Sequence, residues 1–135
     1  MEPRYLLDTD ICLFIRQRRP ARVLHHFRRV RQGEAAISVI TYGELLYGAA
    51  RNAQGQKALD RLRALIAVIP PLPLPEQAAE IYGAVRADLE SRGEMIGNND
   101  LWIAAHALAA RLILITNNES EFRRISGLRV QNWAK

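Results

Sequence analysis

The chain alternates short apolar runs with longer stretches in which apolar residues recur every three or four positions. Tyr5-Leu6-Leu7, Ala35-Ala36-Ile37-Ser38 and Leu112-Ile113-Leu114-Ile115 are runs of the first kind. Unbroken runs this short predict strands covered on both faces, as in a parallel sheet. The spacing predicts helices over residues 11–17, then over a stretch striped by Val23, Leu24, Phe27 and Val30 and ended by Gly33. Further helices are predicted over 39–51, over 57–67 with Leu59, Leu62, Leu65 and Ile66, and over 76–91 with Ala79, Tyr82, Val85 and Leu89. Another is capped by Asn98 or Asn99 and runs through Ala110, and a short one covers 119–124. The proline-rich stretch 68–75 can hold only an edge strand, because proline supplies no ladder donor, and Leu128-Arg129-Val130 makes a last strand. Strands alternating with helices predict an α/β fold around a mostly parallel sheet, as one domain over residues 1–135.

The first strand stops at Asp8-Thr9-Asp10. In an open α/β sheet the working crevice lies beyond the carboxyl ends of the strands, which places Asp8 there. The same three residues also suit a turn and a helix N-cap, a role that falls to Thr9 or Asp10. Two more acids sit on helix faces that ought to be apolar. Glu44 shares its side with Ile40, Tyr47 and Gly48, and Asp100 shares its side with Ile103, Ala104 and Ala107. Each alone fits a buried pair with arginine or a helix-start role. No arginine stands at an offset that neutralises all three, and converging carboxylates are what a hard divalent cation such as Mg²⁺ requires. A fourth contributor is expected where the strand 112–115 ends, at Thr116-Asn117-Asn118, residues that also suit a simple turn.

Nineteen basic against fourteen acidic residues give a net charge of +5, which favours a polyanionic partner. Seventeen of the nineteen are arginine, a bias that genome base composition also produces. The arginines of the hairpin from Arg16 to Arg31, Arg22, Arg28 and Arg29 of the second helix foremost, are candidates for a phosphate track, against the plain alternative of a solvated face. Cys12 is the only cysteine and is expected in the core, so no internal disulfide can form. His25, His26 and His106 have no metal-ligand spacing and are expected at the surface or in packing roles. No apolar run approaches the roughly 18 residues of a membrane span, and a cytoplasmic location is expected.

Four segments together resemble the PIN-domain family, and within it the VapC-type toxins of bacterial toxin–antitoxin pairs. They are Leu6 through Cys12, Ser38 through Ala49, Ile96 through Ala107 and Thr116 through Phe122. The resemblance implies a PIN-like sheet of four to five short strands flanked by helices, and a Mg²⁺- or Mn²⁺-dependent endoribonuclease. It carries Asp8, Glu44 and Asp100 over as the catalytic acids, with Asp8 and Asp100 on the metal and Thr116, Asn118 and Glu121 completing the shell. It further implies an RNA substrate, transfer RNA or another structured RNA, a cognate VapB-type antitoxin and a homodimer. Two positions depart from the family pattern: Asp10 stands where many members have asparagine, and Asn118 where the fourth acid of many PIN domains falls.

Two rival readings remain open from the residues. Asp8-Thr9-Asp10 after an apolar strand is also how haloacid-dehalogenase-like phosphatases begin, with Lys57 the only interior lysine available to that chemistry. Asn118 in place of an acid fits a non-catalytic RNA-binding or antitoxin-binding domain. A phosphoenzyme on Asp8 marks the first, and RNA binding indifferent to EDTA marks the second.

Overall fold

A computed structural model describes residues 2–135. The apolar runs become the inner strands β1 (Tyr5–Leu7) and β2 (Ala35–Ser38), flanked by β3 (Pro71–Leu72) on one side and by β4 (Ile113–Ile115) and β5 (Val130–Gln131) on the other. Their order is β3-β2-β1-β4-β5 and every pairing is parallel. Among the described residues seven helices cover the sheet: α1 (Thr9–Gln17), α2 (Ala21–Arg29), α3 (Val39–Arg51), α4 (Gly55–Val68), α5 (Gln77–Arg92), α6 (Asn98–Ala110) and α7 (Glu119–Phe122).

Side chains of a strand point alternately to opposite faces, so each three-residue strand serves two cores. Leu7, Ile37, Ile113 and Ile115 face α1 and α4, packing with Ile11, Ile15, Leu62 and Leu65. Leu6 and Leu114 face the other way, into Leu89, Leu101, Ile103 and Phe122. Both faces are therefore apolar, which is why the strands read as unbroken apolar runs. Cys12 is buried in the first core, as expected. Among the described residues no helix is long and apolar enough to cross a membrane.

Several boundaries differ from the sequence reading, each for a local reason. α1 starts at Thr9 because Asp8 itself is the N-cap, accepting from the Thr9 N–H at 2.8 Å, so the cap is neither Thr9 nor Asp10. α2 ends at Arg29, and Gly33, with φ of 94°, belongs to the turn into β2 instead. α6 begins after Gly97, and no asparagine side chain caps it; Asn98 accepts a hydrogen bond from Tyr82, whose ring stacks on Trp102. α5 buries Ala78 where Ala79 was expected. The last strand is shifted to Val130–Gln131, in register with Leu114 and Ile115.

Leu114 is fully buried in the central sheet. Leu114→Ala is expected to destabilise the fold by about 2–5 kcal/mol, through lost burial and the cavity left behind. A chemical denaturation midpoint unchanged from wild type would contradict this packing.

Candidate active site

A parallel sheet sets the carboxyl ends of its strands along one edge. β1 delivers Asp8 there and β4 delivers Thr116, side by side, because Leu7 pairs with Ile115. The Thr116 hydroxyl donates to Asp8 Oδ2 at 2.8 Å, and the Asp8 N–H donates to the Ile115 carbonyl at 2.8 Å. Thr116 Oγ1 also accepts from the Asn118 N–H at 3.0 Å. Asp8 is thus fixed at both carboxylate oxygens, one by the start of α1 and one by the end of β4.

The other acids come from helix starts and faces around this point. Thr9 turns its hydroxyl outward and donates to Glu44 Oε1 at 2.7 Å, tying α1 to α3. Asp100 lies in the first turn of α6, where the helix dipole favours an anion. Glu121 of α7 accepts from the Gly97 N–H at 3.0 Å and from the Asn118 side-chain amide. It stands beside Asp100, and its charge raises the proton affinity of that carboxyl. Asp10 accepts from the Asn117 N–H at 3.0 Å through Oδ2, while its buried Oδ1 has no partner.

Five acids, Asp8, Asp10, Glu44, Asp100 and Glu121, therefore surround one edge of the sheet, and none of the ion pairs among the described residues involves any of them. Burial, then the neighbouring Asp10 charge, pushes the Asp8 carboxyl up to about 7 against the opposing hydrogen bond from Thr116. Burial, then Asp8 and Glu121, pushes Asp100 up to about 8. Burial also raises Asp10. Hard oxygen donors, partly desolvated and lacking a cation, are the chemistry that suits Mg²⁺ or Mn²⁺. No three of the Asp, Glu, His or Cys side chains described converge closely enough to hold an ion as they stand.

Asp8, Glu44, Asp100, Thr116, Asn118 and Glu121 are all brought to this edge. The arginines Arg22, Arg28 and Arg29 are not. Arg29 borders a hollow with Arg4 and Glu34, which precede β1 and β2, and Arg28 borders another with Ala35 and Val68, so both lie at the opposite end of the strands. Their helix follows the return of α1 away from the acids. Sequence reasoning missed Thr9 as the tether of Glu44, whose signal was a hydroxyl between two acids. His106 has one of the packing roles expected for the histidines: it is buried with Nδ1 2.8 Å from Ser38 Oγ, a partner the sequence did not signal, and burial holds it down to about 4. Ser38 caps α3 through the Ile40 N–H, so this contact links the start of α3 to α6.

Residues 5–128 match the PIN domain. The chain belongs to the PIN-domain family. It is 35% identical over 130 residues to Ribonuclease VapC2 of Haemophilus influenzae, covering 96% of this chain and 98% of that one. It is 37% identical over 131 residues to the tRNA(fMet)-specific endonuclease VapC of Shigella flexneri, covering 97% and 98%. Among solved structures, VapBC-1 from nontypeable Haemophilus influenzae superposes with a TM-score of 0.90 at 36% identity, over 97% of this chain and 98% of that one. The similarity spans all four segments that carry the acids, and places this PIN domain among the VapC ribonucleases.

The raised carboxyls set a pH dependence. A carboxyl whose native pKa exceeds its unfolded value holds a proton in the folded state that the unfolded chain has released, so stability falls as pH rises through that window. His106 acts oppositely, but its contribution is confined to pH below its ordinary 6.5. Between about pH 6.5 and 8, in EDTA, the melting temperature of the wild type is therefore expected to fall with pH, as Asp8 and Asp100 ionise. Asp100→Asn is expected to flatten that slope and melt higher at the upper end. Equal slopes in the two proteins, read by scanning calorimetry, would refute the repulsion.

Proposed function

We propose that the whole chain acts as one PIN domain and is a metal-dependent endoribonuclease toxin, hydrolysing RNA phosphodiester bonds and neutralised by a cognate VapB-type antitoxin. The observation that carries this reading is the gathering of Asp8, Glu44, Asp100 and Glu121 at the sheet edge without any ion-paired cation, in a chain related to VapC ribonucleases along its length. The relatives support the partners: one is named a tRNA(fMet)-specific endonuclease, and the superposed structure is a VapBC complex. A tRNA or another structured RNA is the substrate class we assign, with a homodimeric toxin in the cytoplasm.

Asp8 and Asp100 would hold Mg²⁺ or Mn²⁺, with Thr116 fixing the Asp8 carboxylate toward it. When bound, the ion supplies Lewis acidity at the phosphoryl oxygen and lowers the pKa of water. Glu44, held by the Thr9 hydroxyl, would bind the ion through water or orient the attacking water. The Thr9 N–H and the Thr116 hydroxyl keep Asp8 from turning away, so its carboxylate needs little reorganisation on binding. Glu121 stands beside Asp100 and compensates for the amide at Asn118, whose NH₂ is spent on holding Glu121 rather than on the substrate. No covalent intermediate on Asp8 is required, which separates this mechanism from a phosphatase.

Asp8→Asn and Asp100→Asn are each expected to abolish RNA cleavage on a gel while leaving the unfolding midpoint unchanged or higher, since each removes a charge from a self-repelling cluster. EDTA should stop the wild type. Cleavage at the wild-type rate by either variant with Mn²⁺ present would end the assignment.

Mn²⁺ titration calorimetry on the protein without antitoxin tests the compensation. Glu121→Gln is expected to weaken ion binding by roughly ten-fold, the scale on which supporting groups act at metal sites. Asn118→Asp is expected to bring a new carboxylate against Glu121, releasing it from its anchor while adding a ligand charge, and so to change affinity or stoichiometry. If both variants titrate as wild type, the ion is held by Asp8, Glu44 and Asp100 alone.

A further inference from the structure

Beside the acids, α1 and α3 face one another across a groove of about 460 Å³. Thr9, Leu13 and Arg16 line it from α1, at spacings of four and three residues, and Glu44, Tyr47 and Arg51 line it from α3 at spacings of three and four. These are single faces of two helices. The groove therefore has two chemically opposite ends. At one end Thr9 is hydrogen-bonded to Glu44, within the acid cluster. Seven residues along each helix, about 10 Å away, stand Arg16 and Arg51.

Neither guanidinium takes part in an ion pair or a hydrogen bond among the described residues, although fourteen acids are present in the chain. Between the two ends Tyr47 is 63% exposed, the most open large hydrophobic side chain described. The Arg51 guanidinium lies over its ring, 4.9 Å from the centroid. An aromatic ring still mostly in water, with one guanidinium over it and neither arginine in an ion pair, is poor packing for a closed surface. It is the pairing that single-stranded nucleic acids exploit, a base stacked on a ring and a phosphate gripped by arginine forks.

We propose that the groove between α1 and α3 seats a nucleotide adjoining the scissile bond of single-stranded RNA, its base on Tyr47 and its phosphate between Arg16 and Arg51. The 10 Å offset means that the phosphate held there is a neighbour of the one cleaved, so the groove sets the register of the strand over the acids. RNA repeats a base and a phosphate at every step and so fills both ends of the groove with one strand. A protein tail would need an anionic side chain and a flat one at matching positions. The inference rests on the nuclease reading and gives the positive charge of this chain a location, on α1 and α3 rather than on the arginines of α2.

Fluorescence anisotropy with a short fluorescein-labelled single-stranded RNA of mixed sequence, in EDTA so that nothing is cut, tests it. Tyr47→Ala is expected to weaken binding by about five-fold or more, the lower end for losing one stacked base. Tyr47→Phe should bind as wild type. Arg16→Ala and Arg51→Ala should each lower the slope of log K against log salt by about 0.7, the value for one phosphate contact on a single strand. Arg63→Ala, the same charge change on the exposed face of α4, should leave binding and slope unaltered. Wild-type binding by Tyr47→Ala and Arg51→Ala, in a protein that still cuts RNA with Mn²⁺, overturns the groove and leaves the nuclease standing. The same result with loss of antitoxin binding assigns the groove to a protein tail. A wild type that neither binds nor cuts RNA overturns both.

Discussion

The structure depends on holding like charges together at the edge of an apolar sheet. Carboxylates withdrawn from water and set beside one another raise each other's proton affinity, and folding must offset that cost. Here the compensation is a set of hydrogen bonds from neutral groups: the Thr9 N–H and the Thr116 hydroxyl on Asp8, the Asn117 N–H on Asp10, and the Gly97 N–H and Asn118 amide on Glu121. None of these donors is a cation. A lysine or arginine in their place would have relieved the repulsion permanently. The arginines of the acid-bearing groove are kept two helical turns from the cluster instead.

The same constraint explains the economy of the fold. Strands of two to four residues are enough because each needs only to fix one side chain at its exit and to anchor two cores. Threonine at the exit of β4 serves both the strand and the acid of its neighbour. The amide at Asn118 follows the same economy: it forgoes a direct charge and spends its donor on Glu121, which brings a carboxylate from one turn along α7.

Much of this was legible in the residues. The inner strands were visible because sheets covered on both faces leave unbroken apolar runs; Asp8 stood out as the acid that ends the first run, and Glu44 and Asp100 as acids on helix faces that ought to be apolar. Helix ends were less visible, because they are settled by tertiary partners. Asp8 caps α1 with one oxygen while β4 holds the other, and Asn98 falls inside α6, after Gly97, with its side chain taken by Tyr82. The arginine track was placed on α2 because its arginines face away from the apolar stripe of that helix. Nothing in that helix's sequence records that it lies beyond the opposite ends of the strands. The Ser38–His106 contact joins residues 68 positions apart and has no local signature.

The pairing of β1 with both β2 and β4 also bears on when the protein becomes competent. β1 is made first and can find β2 as soon as residue 38 has emerged, but its other edge waits for residues 113–115. Domains acquire structure during synthesis in the order the chain appears, and contacts distant in sequence form last. Asp8 lacks its Thr116 partner, and Asp100 its Glu121, until the closing segment of the chain has left the ribosome. A chain that stops short of β4 carries four of the five acids without the strand that sets Thr116 beside Asp8.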